Sequence, residues 1–317
     1  MTAGGATPKT VAVLSGGVGG AKLVLGMSRE ISAERLLVVA NTADDFKHLG
    51  FHISPDIDTL IYTLANLANN EHGWGRANES WSFMEALEVL GGETWFNLGD
   101  GDLAMHVERT RRLTAGESLT DVTAALADAL GIGVKILPMT DDRVTTIVET
   151  TTGPLMFQHY FVRERCEPEV RGFRFDGIQD ARPNPGFIDA LRSGRIGAVI
   201  IAPSNPFVSV DPILDLPGIR AALNNMNGPV IAVSPIVKGS AIKGPAAKMM
   251  RELGIRANVS AVAQHYRGLV DIIVIDEADR DFEEQIRALG IDVLVTNTVM
   301  RTLEDRRNLA RFCLGAI

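Results

Sequence analysis

Short apolar runs recur along the chain and are separated by helical patterns. Seven of these runs are apolar on both faces, as strands of a parallel sheet between two helical layers must be. They are residues 10–14, 36–40, 134–137, 198–202, 229–234, 271–276 and 292–296. Each run ends in a polar turn or in a turn that contains Gly or Pro. The pattern predicts an α/β protein with an αβα sandwich, in which ligands gather at the carboxyl ends of the strands.

Two stretches interrupt this alternation. Residues 56–131 are mainly helical in pattern, with apolar stripes at helical spacing. The stripes are Ile57, Leu60, Ile61, Leu64 and Leu67, and then Leu119, Val122, Leu126 and Leu130. Residues 145–150 and 154–161 favour a β-hairpin around Thr152 and Gly153. We predict a single domain over residues 10–317, with a helical insertion at about 60–130, a small irregular β unit at about 140–185, and a disordered lead-in at residues 1–9.

Composition and charge narrow the class of protein. Of the 317 residues, 46% are hydrophobic and 22% are charged, which is ordinary for a soluble globular protein. The formal charge of −8 argues against nucleic acid as a partner, and no apolar run approaches the ~18 residues that a membrane span needs. Cys166 and Cys313 form no metal-spaced motif, and the first residues lack the apolar core of an export signal. We expect a cytoplasmic protein without a membrane partner.

The segment 41–58 concentrates acidic side chains. Four carboxylates occur within fifteen residues, as the pairs Asp44-Asp45 and Asp56-Asp58, and His48 and His52 lie between the pairs. The segment follows the apolar run 36–40 and precedes a helical pattern. Clustered oxygen ligands at the end of a buried strand suit a hard divalent cation and phosphate chemistry.

A structural interpretation covers part of this cluster. Ser54 can be an N-cap, Pro55 the first helical residue, and Asp56 a first-turn acid that complements the helix dipole. Capping leaves Asp44, Asp45 and Asp58 unexplained. We favour a metal or substrate-hydroxyl role for at least one of these three, with a shared magnesium ion that neutralises their repulsion. The two histidines are equally consistent with structural roles.

The first predicted strand runs directly into a glycine-rich turn. Its glycines are Gly16, Gly17, Gly19 and Gly20, and an apolar helical pattern starts at Leu23. Glycines let backbone N–H groups approach a phosphate, and a helix N-terminus adds a favourable dipole. The spacing is not that of a P-loop and is only a loose dinucleotide fingerprint. We favour a nucleotide phosphate at this turn over a tight turn without a ligand.

Further polar turns follow other strands. Ser204-Asn205 and Ser234-Pro235 combine small polar side chains with proline-fixed backbone, which suits a base, a ribose or a phosphate. Lys243 either supplies a cation for an anionic substrate or is simply solvated. Asp100, in a second acidic cluster, either caps the following helix or faces the same cleft. The chain lacks a Gly-x-Ser-x-Gly elbow and a His-Glu-x-x-His helix, which disfavours covalent hydrolases and zinc peptidases.

Eight segments, in this order, resemble the CofD/FbiA family, the 2-phospho-L-lactate (or phosphoenolpyruvate) transferases of coenzyme F420 biosynthesis. They are SGGVGG at 15–20, NTADD at 41–45, HISPDIDTL at 52–60, WGRANE at 74–79, LGDGDL at 98–103, PSNP at 203–206, VSPI at 233–236 and KGPA at 243–246. The resemblance extends from the first strand past Asp276. It implies a Rossmann-like three-layer αβα core with a mainly parallel sheet.

The resemblance also implies a reaction. The ribityl hydroxyl of the deazaflavin Fo attacks a guanosine diphospho-activated donor, with Mg²⁺ as cofactor, and GMP leaves. The product carries a phospho-lactyl or phospho-enolpyruvyl group. Small molecules are then the partners, and the family suggests a homodimer.

Site residues follow from the same resemblance by matching position. Asp58 is expected to contact the Fo hydroxyl or its metal, and Asp44 or Asp45 to complete the magnesium site, with Asp45 and Asp58 catalytic. The expected substrate-binding residues are Gly16, Gly17, Gly19, Gly20, Asn41, Asp100, Ser204, Asn205, Ser234, Pro235 and Lys243.

One departure from the family pattern bears on this expectation. The family reads Leu-Gly-Asp-Arg-Asp-Leu-Ala-Thr-His where this chain has Gly101 in place of the arginine and Met105 in place of the threonine. Either a substrate contact is altered, or another cation such as Arg76 or Arg109 replaces the arginine. The departure also favours an alternative, a non-catalytic guanine-nucleotide-binding regulatory protein on the same fold. An NAD(P)-dependent oxidoreductase ranks last because only the glycine turn supports it.

Overall fold

A computed structural model of the protein describes residues 9–69 and 75–317. Residues 1–8 of the predicted lead-in and Trp74 of the WGRANE segment lie outside the described residues. The strands are β1 (Thr10–Ser15), β2 (Leu36–Ala40), β3 (Phe46–His48), β4 (Phe51–Ile53), β5 (Lys135–Pro138), β6 (Thr145–Thr150), β7 (Gly153–Met156), β8 (Val170–Asp176), β9 (Ile196–Ile201), β10 (Val230–Val233), β11 (Ile236–Val237), β12 (Ser240–Ala241), β13 (Ile272–Asp276) and β14 (Asp292–Thr296).

The helices connect these strands and cover the sheet. They are α1 (Gly17–Met27), α2 (Pro55–Leu64), α3 (Ser82–Val89), α4 (Asp100–Thr114), α5 (Leu119–Ala129), α6 (Pro185–Arg192), α7 (Asp211–Leu214), α8 (Ile219–Asn224), α9 (Ala246–Glu252), α10 (Val259–His265), α11 (Glu283–Arg287) and α12 (Leu303–Leu314).

The core of the described residues is a seven-stranded sheet in the order β14-β13-β10-β9-β1-β2-β5. Every neighbouring pair in it is parallel. All seven apolar runs become its strands, which confirms the predicted Rossmann-like α/β core. Strand β1 pairs with β2 on one side and with β9 on the other. The strands that follow β1 in sequence are first added on the β2 side of the sheet and later on the β9 side. The carboxyl end of β1 is therefore a topological switch point, where folds of this class bind ligands.

Each face of the sheet has its own hydrophobic core. On β1, Val11 and Val13 pack with α1, α2, α5 and α12, whereas Ala12 and Leu14 pack with α6, α8, α9 and α10. Successive side chains of a strand point to opposite faces, so both faces of β1 must be apolar to lie between two helical layers. This is the physical reason that the strands read as continuous apolar runs in the sequence.

The chain between β2 and β5 contains the hairpin β3–β4 and the helices α2 to α5. The predicted apolar stripes are buried at Ile57, Leu60 and Ile61 on α2 and at Val122 on α5, whereas Leu130, just after α5, is 37% exposed. Within residues 9–69 and 75–317 we find no helix that is long and apolar enough to span a membrane.

A three-stranded antiparallel sheet, in the order β7-β6-β8, follows β5. The predicted hairpin is present, with Thr150 opposite Gly153. The second strand is shorter than predicted, since β7 ends at Met156 and a π-helical turn occupies His159–Arg163. Tyr160 in this turn is fully buried in the main core, so tertiary packing accompanies the change from strand to helical turn.

Helices α1 and α12 meet at a glycine. A Cβ atom on Gly26 would overlap the backbone carbonyl of Arg306. The two helix backbones therefore approach each other more closely than any larger residue permits, and this contact fixes the first turns of α12 against α1.

We predict that Gly26→Ala lowers the free energy of unfolding by about 1–3 kcal/mol, because the backbone of α12 must move away. Urea denaturation followed by circular dichroism measures the change. Gly172→Ala is the control, since a Cβ there meets nothing within 4 Å and should change stability by less than about 0.5 kcal/mol. Equal effects of the two substitutions would contradict the close approach.

Candidate active site

Four polar segments meet at the carboxyl edge of the main sheet. The glycine turn follows β1, Asn41 follows β2, Ser204 follows β9 and Ser234 follows β10. These four strands are consecutive in the sheet order, so the segments predicted to bind substrate lie along one edge.

Hydrogen bonds within the protein hold the start of the glycine turn. The N–H of Gly16 donates to Ser204 Oγ (3.1 Å), and the hydroxyl of Ser204 donates to the Gly16 carbonyl (2.8 Å). The N–H of Gly17 donates to Asp56 Oδ1 (2.6 Å). These two N–H groups, which the sequence predicts to face a phosphate, therefore bind protein groups in this structure.

The other two glycines of the turn permit close packing. A Cβ on Gly19 would overlap the carbonyl oxygen of Pro203, and a Cβ on Gly20 would overlap the hydroxyl of Ser15. The turn thus needs glycine because the loop after β9 approaches Gly19 and the end of β1 approaches Gly20. Any phosphate contact made by these residues stays a prediction.

Asp56 is the centre of this arrangement. Besides the bond from Gly17, its Oδ2 accepts a hydrogen bond from the amide of Asn41 (3.0 Å), and Asn41 Oδ1 accepts one from the N–H of Ala43 (3.0 Å). Burial raises the pKa of Asp56 to about 6, although the bonds from Asn41 and Gly17 favour its charged form. Asp56 is in the first turn of α2, as predicted, but it also connects that helix to the glycine turn.

Ser54 differs from its predicted role. It occupies the N-cap position of α2, and Pro55 begins the helix as expected, yet the Ser54 side chain makes no capping hydrogen bond. Its hydroxyl donates instead to Asp45 Oδ2 (2.6 Å). The Nε2 atom of His52 lies 3.1 Å from the same oxygen. The Ser54 hydroxyl, which could have capped α2, therefore binds Asp45 after β2 instead.

Two buried carboxylate oxygens in this cluster, Asp44 Oδ1 and Asp45 Oδ1, have no hydrogen-bond partner among residues 9–69 and 75–317. Burial raises the pKa of Asp44 well above its usual value and the nearby Asp56 charge adds to this shift, although the side chains of Thr146 and Asn41 favour its charged form. Burial also raises the pKa of Asp45, against the opposing effects of His52 and Ser54. A buried oxygen without a partner is costly, so these two atoms favour a positive ligand.

The donor set fits Mg²⁺ bound jointly by protein and substrate. Magnesium usually binds one or two carboxylates and fills its remaining positions with water and substrate phosphates. In the described parts of the chain no group of three or more His, Cys, Asp or Glu side chains is arranged to hold a metal ion. The predicted set of Asp44, Asp45 and Asp58 is therefore not preformed as a cage, whereas the free oxygens of the first two suit partial coordination.

Asp58 has a different partner. The guanidinium of Arg109, on α4, donates from Nη1 to Asp58 Oδ2 (3.2 Å) and from Nη2 to Asp58 Oδ1. Both side chains are buried, and Arg109 is completely so. Residues two apart on a helix point about 200° apart, so when Asp56 faces the glycine turn, Asp58 must point elsewhere. The predicted role of Asp58 at the metal stays untested, and both of its oxygens bind Arg109 in this structure.

A polar network extends from this pair along α4. His106 Nδ1 lies 3.7 Å from Asp58 Oδ2, and its Nε2 lies 3.2 Å from Asp102 Oδ2. The hydroxyl of Tyr62 donates to Asp102 Oδ1 (2.5 Å). Burial, together with the charges of Asp58 and Asp102, holds the pKa of Tyr62 well above its usual value, so the hydroxyl stays a donor.

This network was not predicted from the sequence. The signal that could have revealed it is the spacing of Asp102, His106 and Arg109, which places all three on one face of a helix.

Asp100 caps a helix, but not the predicted one. Its carboxylate accepts hydrogen bonds from the Ser80 hydroxyl (2.6 Å) and from the N–H groups of Ser82 (3.1 Å) and Phe83 (3.0 Å), at the start of α3. The start of α4 is capped by Glu79, which accepts from the N–H groups of Gly101 and Asp102 (2.7 and 3.0 Å). Reciprocal capping thus joins the two helix N-termini.

The same region accounts for Gly101. A Cβ atom there would overlap the guanidinium of Arg76, whose Nη1 pairs with Glu79 Oε1 at 3.3 Å. Arg76 therefore fills the space that a side chain at position 101 would need. Two cations could replace the family's arginine. Arg109 is bound to Asp58, whereas the guanidinium of Arg76 lies beside Gly101, the position of that arginine.

The remaining predicted residues shape turns or lie at the edge. Asn205 Oδ1 accepts from the N–H of Phe207 (3.1 Å), and Ser234 Oγ accepts from the N–H of Ile236 (3.2 Å). Pro235 is half-buried and Lys243 is exposed.

His48 is structural. It is buried in an aromatic cluster, with its ring centroid 5.0 Å from that of Trp95 and 5.8 Å from that of Phe96.

Comparison with known proteins identifies the family. The sequence model of the family described as 2-phospho-L-lactate transferase CofD matches residues 11–303. This chain belongs to the CofD family. That match includes the main sheet from the second residue of β1 onward, the carboxylate cluster and the α4 network.

Relatives in this family are similar over nearly their whole length. The chain is 38% identical to the phosphoenolpyruvate transferase of Streptomyces coelicolor, covering 96% of this chain and 97% of that protein. It is 37% identical to the 2-phospho-L-lactate transferases of Methanosarcina mazei and Methanocaldococcus jannaschii, covering 96% of this chain and 99% and 98% of those proteins. The chain is accordingly a transferase.

A solved structure shares the fold at greater sequence distance. The crystal structure of a UPF0052 family member from Bacillus halodurans superposes with a TM-score of 0.61 at 14% identity. The match covers 98% of this chain and all of that one. It confirms the α/β architecture independently of the closer relatives.

We predict that Asp58→Asn destabilises the protein by about 3–5 kcal/mol in metal-free buffer, because it leaves the Arg109 charge buried without a partner. Urea denaturation with EDTA present measures this. The double variant Asp58→Leu/Arg109→Met, which removes both charges, should regain much of the loss. Glu108→Gln, in an exposed pair with Arg111, is the matched control and should cost less than about 1 kcal/mol. A wild-type stability for Asp58→Asn would refute the structural role.

The buried acids also predict a dependence of stability on pH. Because the pKa of Asp56 rises from 3.8 to about 6 on folding, the folded protein binds more protons than the unfolded chain between these values. The stabilisation of the folded state by protonated Asp56 is therefore present below the unfolded pKa and is lost as pH rises through about 6. The raised pKa of Asp44 changes stability in the same direction. The midpoint of unfolding of the metal-free protein should decrease as the pH is raised from about 4 to about 7. The decrease should be smaller in Asp56→Asn. Identical pH profiles for the two proteins would contradict this.

Proposed function

We propose that this chain transfers a phospho-lactyl or phospho-enolpyruvyl group from a guanosine diphospho-activated donor to the ribityl hydroxyl of Fo, with Mg²⁺, in coenzyme F420 biosynthesis. The names of its relatives support the transferred group. The observation that carries the proposal is the pair of unbonded carboxylate oxygens of Asp44 and Asp45, buried beside the glycine turn at the switch point of the sheet.

The reaction is attack at phosphorus. The ribityl oxygen bonds to the phosphorus that carries the three-carbon acid, and the bond from that phosphorus to the GMP oxygen breaks. Magnesium, when bound, neutralises charge on the phosphate oxygens. Positioning and charge stabilisation supply most of the catalysis in such transfers, so the rigid surroundings of the acids matter.

Asp45 is the proposed acceptor of the hydroxyl proton. Burial raises its pKa, which makes its carboxylate a stronger base than a solvated one. Ser54 and His52 both contact Oδ2 and so hold the carboxylate in one orientation, with Oδ1 free. Asp58 acts through Arg109 in this proposal, by fixing α4 against α2.

A non-catalytic guanine-nucleotide-binding protein is the second candidate. Only the absence of arginine at position 101 favours it, and the guanidinium of Arg76 over Gly101 weakens that argument. Nucleotide binding without turnover in the assay below would select this candidate.

The direct test is a donor panel. The protein is incubated with Fo, Mg²⁺ and donors in which guanosine diphosphate carries lactate, enolpyruvate or glycerate. The proposal expects a mass-shifted deazaflavin and an equal amount of GMP with at least one donor. Absence of product with all three would overturn it.

Single substitutions test the acids separately. We predict that Asp44→Asn and Asp45→Asn each lower kcat by about 10²-fold or more, because each removes a charge that acts on the transition state. The Mg²⁺ concentration for half-maximal rate should also rise. Asp128→Asn, a solvent-exposed acid on α5, is the control and should leave both parameters unchanged. Wild-type kinetics in either active-site variant would contradict the assignment.

A further inference from the structure

A backbone hydrogen bond joins the three-stranded antiparallel sheet to the segment that carries the catalytic acids. The N–H of Thr146, the second residue of β6, donates to the carbonyl of Ala43 (2.7 Å). Ala43 directly precedes Asp44 in the chain. The backbone of β6 is therefore fixed beside the acid pair, although β6 belongs to a different sheet from the strands that form the switch point.

The hydroxyl of Thr146 has no role in holding the protein together. The residue is completely buried, and its Oγ1 atom has no hydrogen-bond partner among residues 9–69 and 75–317. Thr150, at the other end of β6, shows the usual arrangement, since its hydroxyl donates to the carbonyl of Gly153 (2.6 Å). A buried hydroxyl without a partner costs free energy, and valine has a similar branched shape without that cost. A bound group that contacts the hydroxyl explains why threonine occupies this position.

This hydroxyl lies close to the carboxylate of Asp44. Burial raises the pKa of Asp44, and the Thr146 side chain opposes that shift. Yet Thr146 Oγ1 and Asp44 Oδ1 form no hydrogen bond with each other, and Asp45 Oδ1 is a third buried oxygen in the described chain without a partner. Because these oxygens come together from β6 and from the loop after β2, one small polar ligand can contact atoms of both segments.

We propose that Thr146 is a positioning residue of the catalytic centre, whose hydroxyl oxygen accepts a hydrogen bond from a water molecule bound to the metal ion at Asp44 and Asp45. The inference rests on the proposed function and adds a residue from outside the main sheet. Magnesium bound by one or two carboxylates keeps several of its water molecules. Such a water donates its hydrogens, and a hydroxyl oxygen has two lone pairs with which to accept one. Groups of this kind orient the ligands of a metal ion and affect its affinity.

The substitution Thr146→Val tests the proposal, because it removes the hydroxyl and keeps the branched shape. Calorimetric titration with the Mn²⁺ complex of GDP measures binding without turnover. Thr146→Val should bind this complex about tenfold more weakly than the wild type, as expected for loss of a group that orients a metal ligand. Thr146→Ser keeps the hydroxyl and should bind close to wild type.

Stability separates this role from a structural one. The hydroxyl has no partner in the metal-free protein, so Thr146→Val should not lower the urea midpoint of unfolding in EDTA. A lower midpoint would show that the hydroxyl stabilises the fold and would overturn the proposal.

Two controls identify what the hydroxyl contacts. Thr123→Val also removes a buried hydroxyl without a partner in the described residues, but on α5, and should leave the affinity for the Mn²⁺ complex unchanged. GDP alone, titrated in EDTA, distinguishes a metal-bound water from a nucleotide phosphate. Thr146→Val should bind GDP alone as tightly as the wild type does, and weaker binding would contradict the contact with a metal-bound water.

The acids themselves separate this inference from the proposed function. If Asp44→Asn/Asp45→Asn loses affinity for the Mn²⁺ complex and Thr146→Val retains it, the role of Thr146 alone is wrong. If the double variant binds as the wild type does, the metal site of the proposed function is wrong, whatever the behaviour of Thr146→Val.

Discussion

The buried carboxylate of Asp56 joins the three segments on which the site depends. It stands on the first turn of α2 and binds the N–H of Gly17 at the start of α1 and the amide of Asn41 just after β2. A buried carboxylate is stable only with such partners, so the three segments are held in fixed relation at the switch point of the sheet. Asp44 and Asp45 lie three and four residues after Asn41, so the position of Asn41 constrains theirs.

The acidic residues near the site form two groups, one whose carboxylates bind protein side chains and one whose carboxylates keep a free oxygen. Asp58 is matched by Arg109, and Asp102 is contacted by Tyr62 and His106, so both stabilise the contact between α2 and α4. Asp44 and Asp45 each keep one buried oxygen without a partner in the part of the chain that the structure describes. In a stable protein such atoms are costly, and their retention beside the glycine turn is the physical basis for assigning them the catalytic chemistry.

The sequence predicted the fold well and the site in part, for identifiable reasons. Strands such as β1 are apolar on both faces, which only a sheet between two helical layers requires. Sequence alone could not show that Asp56, and not Asp58, meets Gly17, because side chains two apart on α2 diverge and the rotation of the helix decides which one does. The partner of Asp58 is 51 residues away in sequence, so local pattern could not reveal it. The three-residue strands β3 and β4 are too short to produce a periodic signal.

The central claim is that the free oxygens of Asp44 and Asp45 form the catalytic centre, where one of them binds the metal. Anomalous scattering from crystals grown with GDP and Mn²⁺ in place of Mg²⁺ tests it most directly. We expect a single strong peak about 2 Å from Asp44 Oδ1 or Asp45 Oδ1, with Arg109 still bound to Asp58. A peak at Asp58 with Arg109 displaced, or no peak at the end of β2, would contradict it.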